Sequence, residues 1–60
     1  MNEHNEYESH DWATRRDGRV TREGLTEREA REWLAVDTGL AVEWGATDSD
    51  LERYDVVRMA

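Results

Sequence analysis

The chain has 60 residues, a formal net charge of -7 and no cysteine. This length allows one domain at most, and a domain of this size buries only about 60% of the surface that its unfolded chain exposes. The lack of cysteine excludes disulfides and thiolate metal sites, and no apolar run approaches the ~20 residues that cross a membrane. Stability must therefore come from a compact core or from self-association.

The first ten residues are polar and acidic, with Tyr7 as the one large apolar side chain after Met1. We expect 1–10 to be a flexible acidic tail and 11–60 to form a single small domain. The tail does not have the basic and apolar regions of a signal peptide, so we expect a soluble, cytoplasmic protein with no membrane partner.

The same segment contains side chains of types that bind zinc or nickel. A metal site needs a fixed geometry, which an unpatterned segment does not provide. We therefore expect a solvated tail, with neither a metal site nor any other cofactor. The residues in question are His4, Glu6, Glu8, His10 and Asp11.

The dipeptide Asp17-Gly18 predicts a β-hairpin with strands of about 11–16 and 19–24. Two turn geometries compete for it. In the first, a two-residue type I′ turn pairs Arg16 with Arg19.

In the second geometry, a type I turn places Gly18 in a bulge and pairs Arg15 with Arg19. We favour this bulge, because strand register follows the pairing that gathers apolar residues on one face. That face would hold Trp12, Thr14, Val20 and Arg22.

A helix start is encoded at Thr26, which is a good N-cap residue, and Glu29 three residues later completes a capping box. Gly39 suits the C-terminal cap. The pattern therefore predicts a helix over about 27–37, with Trp33 on the apolar stripe that faces the core.

The stretch LAVEW alternates, which predicts a half-buried strand over 40–44 with Trp44 in the core. The stretch RYDVVRM predicts a last strand over 53–59. Both of its faces are apolar, which indicates either a central strand or a strand covered on one side by a second copy. The predicted fold is α+β in the order β-β-α-β-β, with one helix packed on a small, mainly antiparallel sheet.

The stretch WATRRDGRVTREGLTEREAREW, followed by GLAVEW and RYDVVRM, resembles small uncharacterised proteins of actinobacteria and their phages. Those proteins combine a DG hairpin that carries a tryptophan with an LTxxEA helix and a late VVR strand. The resemblance covers residues 12–59 and implies the same fold and a phage or actinobacterial origin, but no activity and no functional residues. All eight basic residues are arginine, which indicates a GC-rich genome and leaves a haloarchaeal origin open as well.

The middle of the chain is basic, at +2 over 15–31, between ends of -4 and -5. Arginines beside an exposed aromatic side chain are the components of a site for single-stranded nucleic acid. The net charge opposes this hypothesis, because it repels a polyanion, and the alternative is that the arginines pair with nearby acids. The candidate nucleic-acid contacts are Arg15, Arg16, Arg19 and Arg22, beside Trp12.

The acids suggest the opposite hypothesis, that the chain is an acidic mimic of a nucleic acid. A mimic needs one sign of charge over a broad face, whereas arginines interrupt the acids of the predicted helix. Simple solubility or salt adaptation explains the same residues. They are Glu27, Glu32, Asp37, Glu43, Asp48, Asp50, Glu52 and Asp55.

The sequence has no catalytic motif, and a domain this small hardly forms the pocket that shifts a carboxyl pKa for acid–base work. We therefore expect no enzyme, but a small acidic protein-interaction module that binds or inhibits one cellular protein, or a host protein if it is encoded by a phage. We also expect a homodimer. Trp12 is either core or interface. The candidate interface consists of Trp12, Tyr54, Val56, Val57 and Met59.

Overall fold

The computed structural model describes residues 8–59, in which a small sheet carries one long helix on one face. The elements in chain order are β1 (Trp12–Arg16), β2 (Arg19–Leu25), α1 (Glu27–Glu43), the short helix α2 (Asp48–Leu51) and β3 (Tyr54–Arg58). The three strands are antiparallel and lie in the order β2-β1-β3. The predicted α+β class, with a helix packed on a small antiparallel sheet, is confirmed.

Helix α1 begins where the sequence predicts. Thr26 Oγ1 accepts a hydrogen bond from the backbone N–H of Glu29 at 3.1 Å, and a carboxylate oxygen of Glu29 accepts one from the N–H of Thr26 at 2.9 Å. This reciprocal pair is the predicted capping box, which satisfies two backbone N–H groups that have no partner within the helix.

Helix α1 continues to Glu43, so the predicted strand over 40–44 is wrong. Gly39 lies inside the helix rather than at its end. The segment does alternate at period two, but it also continues the three-to-four-residue spacing of apolar side chains that begins at Trp33. Extending a formed helix needs no new nucleus, because each added residue gains one backbone hydrogen bond.

Gly45 ends the helix and has a φ of 94°. The N–H of Ala46 donates to the carbonyl of Ala41 at 2.9 Å, and the N–H of Gly45 donates to the carbonyl of Val42 at 3.0 Å. These two bonds form a Schellman motif, in which the left-handed residue is usually glycine. The C-terminal signal of the helix is therefore Gly45, and the predicted cap at Gly39 is wrong.

The hairpin has the two-residue type I′ turn. Asp17 and Gly18 both have positive φ, of 55° and 76°, and Arg16 pairs with Arg19. The favoured bulge at the turn is therefore wrong. Type I′ geometry prevails because its backbone twist matches the right-handed twist of the two strands.

A bulge lies inside β2 instead. Arg15 pairs with Val20, but Thr14 pairs with Arg22, so Thr21 is an extra residue on β2. The bulge turns Arg22 to the face that carries Thr14, and leaves Val20 on the opposite face. The predicted shared face is thus correct for Thr14 and Arg22 and wrong for Val20.

Strand β3 is an edge strand, since it pairs with β1 alone among the described strands. The interpretation of it as a central strand is therefore wrong.

On the face of the sheet away from α1, Arg15 donates two hydrogen bonds to Asp55 across the strands, at 2.9 and 2.6 Å. Val57 and its partner Ala13 share this face. The outer face is consequently part ionic and part apolar.

Small side chains occupy the best-buried positions. Ala13 and Ala30 are fully buried, and Thr14 and Thr26 are buried polar residues. The hydroxyl groups of Thr14 and Thr21 are hydrogen bonded at 2.8 Å, so the buried hydroxyl of Thr14 has a partner. A core built from such small groups has little room for large aromatic rings.

The three tryptophans lie at the margin of this core or outside it. Trp12 is half-buried, whereas Trp33 and Trp44 are exposed. The prediction of a core position is wrong for Trp33 and Trp44, because 40–43 extends α1 and does not form the sheet strand that would have carried Trp44 into the core and added a layer beside Trp33. In the range 8–59, no helix combines the length and the apolar character needed to cross a membrane.

Candidate protein-binding surface

One side of α1 exposes large apolar side chains from its first half to its end. They lie three or four residues apart, so they are neighbours on the helix surface. We call this row the helix stripe. It consists of Trp33, Val36, Leu40 and Trp44, which are 40%, 47%, 51% and 87% exposed.

The sequence pattern predicts a core position for both tryptophans of the helix stripe. The candidate residues taken from the sequence do not include Val36 and Leu40, which the structure exposes. The signal that identifies the row is its spacing of three, four and four residues, which fits one side of a helix and not one side of a strand.

The helix stripe borders an open groove of about 460 Å³ between α1 and the hairpin. Leu40 and Trp44 line the groove from the helix, and Thr21 and Arg22 line it from β2. At the end nearest the hairpin turn, it is lined by Arg16 and Tyr54. The helical side of the groove is therefore apolar except for Asp37, which also lines it, and the strand side is mixed.

The groove follows from the position of α1 on the sheet. The helix packs against β1 and β3 and contacts β2 much less. The helix-facing side of β2 is therefore only partly covered. Arg22 spans this gap, since its guanidinium donates hydrogen bonds to Asp37 at 2.7 and 3.2 Å and lies 4.1 Å from the ring centre of Trp33.

Two of the four predicted nucleic-acid contacts are occupied within the fold. Arg15 is paired with Asp55 on the outer face, at 2.6 Å. Arg22 is paired with Asp37 on the helix-facing side, at 2.7 Å. Their charges are therefore balanced on opposite faces of the sheet, as the alternative interpretation of the hairpin arginines expects.

The other two hairpin arginines flank the turn. The Arg16 guanidinium lies over the ring of Tyr54, 5.8 Å from its centre, and neither Arg16 nor Arg19 forms an ion pair within the described residues. Trp12 begins β1, at the end of that strand away from the turn. Arg16 therefore lies beside Tyr54 and lines a groove together with Trp44, whereas Trp12 is at the other end of β1.

The five predicted interface residues present two separate surfaces. Val57 faces away from α1, whereas Val56, Tyr54 and Trp12 face towards it. These four side chains are half-buried. Met59 follows β3 and is exposed.

Arginines balance part of the acidic surface. Glu27, Asp37 and Asp55 are ion-paired, so the acids proposed for a nucleic-acid mimic do not form one unbroken face. Glu32 and Glu43 border the helix stripe, four and seven residues from Val36. The acids without an ion pair or a capping hydrogen bond inside the range 8–59 are Glu23, Glu32, Glu43, Asp48 and Glu52.

Three aspartates have pKa values below the ordinary range because hydrogen bonds stabilise their charged forms. The donor that lowers the pKa is the Arg15 side chain for Asp55 and the Arg58 side chain for Asp11. For Asp50 it is the backbone N–H of Thr47. The lowered pKa values keep these three aspartates ionised at neutral pH, whereas a carboxyl group that acts as a general acid needs a raised pKa.

Residues 8–59 contain no group of three His, Cys, Asp or Glu side chains placed to hold a metal ion. Glu8, one of the tail candidates, lies 3.6 Å from Arg28, and Asp11 lies 2.9 Å from Arg58. His4 and Glu6 lie outside the described residues, as does most of the segment predicted to be a flexible tail.

No protein-family model, no curated protein and no solved structure matches the chain. Its function is therefore inferred from the helix stripe, the groove and the charges around them.

Proposed function

We propose that this chain is a non-enzymatic protein-interaction module that binds another protein through the helix stripe. The observation that carries the proposal is the exposure of Trp44, which keeps 87% of its surface accessible at the end of a continuous apolar row. Tryptophan is enriched among the few residues that dominate binding energy at protein interfaces. Removal of apolar area from water is favourable by about 25 cal/mol per Å², of which ordering costs at an interface offset a part, so Trp44 and Leu40, the most exposed residues of the row, are expected to contribute most to the contact.

The partner in this proposal is one cellular protein, or a host protein if the chain is encoded by a phage. In either case the complex forms in the cytoplasm. The acidic surface restricts the choice of partner, because like charges facing each other across an interface weaken association.

A second candidate function is the binding of single-stranded nucleic acid, and one observation favours it. Arg16 lies over the ring of Tyr54, 5.8 Å from its centre, and lines the same groove as Trp44, and bases stack on aromatic and guanidinium planes. Against it, Arg15 and Arg22 are paired with carboxylates, and the net charge is -7. We rank this function below protein binding, because little positive charge remains for a phosphate backbone.

We also propose that two copies associate along the free edge of β3. An unpaired edge strand presents backbone N–H and C=O groups that a second strand can pair with, and a two-fold axis is the commonest symmetry of dimers. Val57 and Met59, from the predicted interface, lie on or beside this edge. The helix stripe, which lies on the β2 side of α1, remains free in such a dimer.

A pull-down with matched variants tests the protein-binding function. Tagged wild-type chain is incubated with lysate of an actinobacterium, with and without nuclease treatment, beside Leu40→Ser and Trp44→Ser. Val42→Ser is the control, since Val42 is 54% exposed but lies on the opposite side of α1. The proposal expects one protein to be captured by wild type and Val42→Ser and lost with the other two variants.

Nuclease sensitivity separates the two candidate functions. Capture that disappears after nuclease treatment, together with salt-dependent anisotropy of labelled single-stranded DNA or RNA that Arg16→Gln weakens, would replace protein binding by nucleic-acid binding. Capture that both stripe variants retain would refute the helix stripe as the binding surface.

A further inference from the structure

We infer that the partner contributes a basic amphipathic helix, which lies beside α1 above β2 and buries the helix stripe. This inference rests on the proposed protein-binding function and adds the chemistry of the bound segment. It follows from the uncovered part of the sheet and from the charges that border the stripe.

A helix packed beside α1 would lie over the part of the sheet that α1 leaves uncovered. Packed helices lie about 8–10 Å apart, and α1 leaves the helix-facing side of β2 partly uncovered because it packs mainly on β1 and β3. A second helix in this position would contact Leu40 and Trp44 on one side and the strand wall of the groove below. It would complete a two-helix layer on the three-stranded sheet.

The length of the helix stripe sets the length of the segment. Trp33 and Trp44 are eleven positions apart, which is about 16 Å at a rise of ~1.5 Å per residue. About three turns of a partner helix span this distance. Such a segment needs apolar side chains every three or four residues to match the row.

The charges at the outer border of the helix stripe select a basic segment. Glu32 and Glu43 lie beside Val36 on the side away from β2, and neither has an ion pair within the described residues. On the strand side, the Arg22 charge is already balanced by Asp37. Arginine or lysine on the outer side of the partner helix would therefore meet unbalanced carboxylates.

A second copy of this chain does not fit the same position. Each copy carries a charge of -7, and packing stripe against stripe would bring Glu32 and Glu43 of both copies towards each other. The self-association proposed above uses the edge of β3, on the other side of the sheet order. The two surfaces are therefore independent.

The test selects peptides without prior choice of a partner. A displayed library of random peptides of about 16 residues, long enough for some four helical turns, is panned on the full-length chain near 0.1 M salt. The recovered pool is then depleted on Trp44→Ser, so that the remaining peptides depend on the helix stripe. We expect these peptides to be rich in arginine or lysine, with large apolar residues spaced three and four apart.

Charge variants then test the border of the stripe on individual synthetic peptides. The double variant Glu32→Arg/Glu43→Arg is expected to weaken binding at least about tenfold, the scale of two lost charge contacts at an interface. The matched control is Glu52→Arg, because Glu52 is also without an ion pair in the range 8–59 but lies after α2. Affinity is expected to fall as salt is raised, since salt screens these contacts.

Each other result overturns a defined part of the proposal. Stripe-dependent peptides without an excess of basic residues would refute the charge assignment and leave protein binding through the stripe intact. Alternation at period two in the selected peptides would refute the helix in favour of a strand added to the edge of β2. A pool that Trp44→Ser depletes as completely as Val42→Ser does would refute the inference together with the proposed binding surface.

Discussion

The guanidinium of Arg22 lies 4.1 Å from the ring centre of Trp33. This contact joins α1 to β2, the strand that α1 contacts least. The same guanidinium donates two hydrogen bonds to Asp37, one turn along the helix. A planar group that stacks on one side chain and forks onto another is specific to arginine.

Replacement of Arg22 is expected to destabilise the fold. Arg22→Ala should lower the free energy of unfolding by about 1–2 kcal/mol, the range of a partly desolvated cation–π contact. Arg22→Lys should recover little of this loss, because an ammonium group does not fork onto a carboxylate. Urea unfolding measures both values, and an unchanged midpoint in Arg22→Ala would contradict the role of the contact.

The two glycines near the end of α1 are expected to respond in opposite directions to alanine. Gly39 is helical, and an added Cβ would meet no atom within 4 Å beyond its chain neighbours and the adjoining helix backbone, so Gly39→Ala should stabilise the fold by about 0.5–1 kcal/mol. Gly45 has a φ of 94°, so Gly45→Ala should destabilise it by about 1–2 kcal/mol. Thermal unfolding of the pair decides the question, and a loss of stability in Gly39→Ala would be evidence against the long helix.

Removal of the helix cap provides a third test. Thr26→Ala should cost about 1 kcal/mol, because the Glu29 N–H loses its side-chain acceptor. Thr47→Ala removes a similar box from the short, exposed helix α2 and is expected to cost less than half as much. An unchanged stability in Thr26→Ala would indicate that α1 does not depend on its N-terminal cap, and equal losses in the two variants would contradict the smaller contribution expected of α2.

Acid is expected to weaken the fold through Asp11, Asp50 and Asp55. Hydrogen bonds hold their folded pKa values below the ordinary 3.8, so the unfolded chain takes up protons first as the pH falls. Their contribution to stability is present above about pH 5 and is lost as the pH falls through the folded pKa values. Urea midpoints between about pH 2 and 7 should show this decline, with a shallower slope for Arg15→Gln, which removes the donor to Asp55. A midpoint constant down to pH 2.5 would contradict it.

The proposed dimer is expected to tighten with salt. Each chain carries a charge of -7, and 0.1 M salt screens the repulsion beyond about 10 Å. Sedimentation equilibrium at several concentrations and salt levels measures the association. A single species of 7.1 kDa throughout would refute the dimer, and Val57→Lys, at the edge strand, should dissociate it if it forms.

The sequence by itself determined the features that depend on a few neighbouring residues. Thr26 and Glu29 specify the start of α1 because both partners of the capping box lie within one turn. Asp17-Gly18 specifies a hairpin because both residues tolerate positive φ. These local signals, with the final apolar strand, were sufficient for the α+β class.

Only the tertiary structure decided the features that depend on distant partners. The stretch 40–44 satisfies both a helical and a strand pattern, and its fate depends on whether a neighbouring strand is available to pair with it. The bulge at Thr21 turns Arg22 towards Asp37 on another element, which no local pattern specifies. The continuation of α1 through Glu43 left Trp44 outside the core, because a residue at the end of a helix is buried only if another part of the fold lies over it.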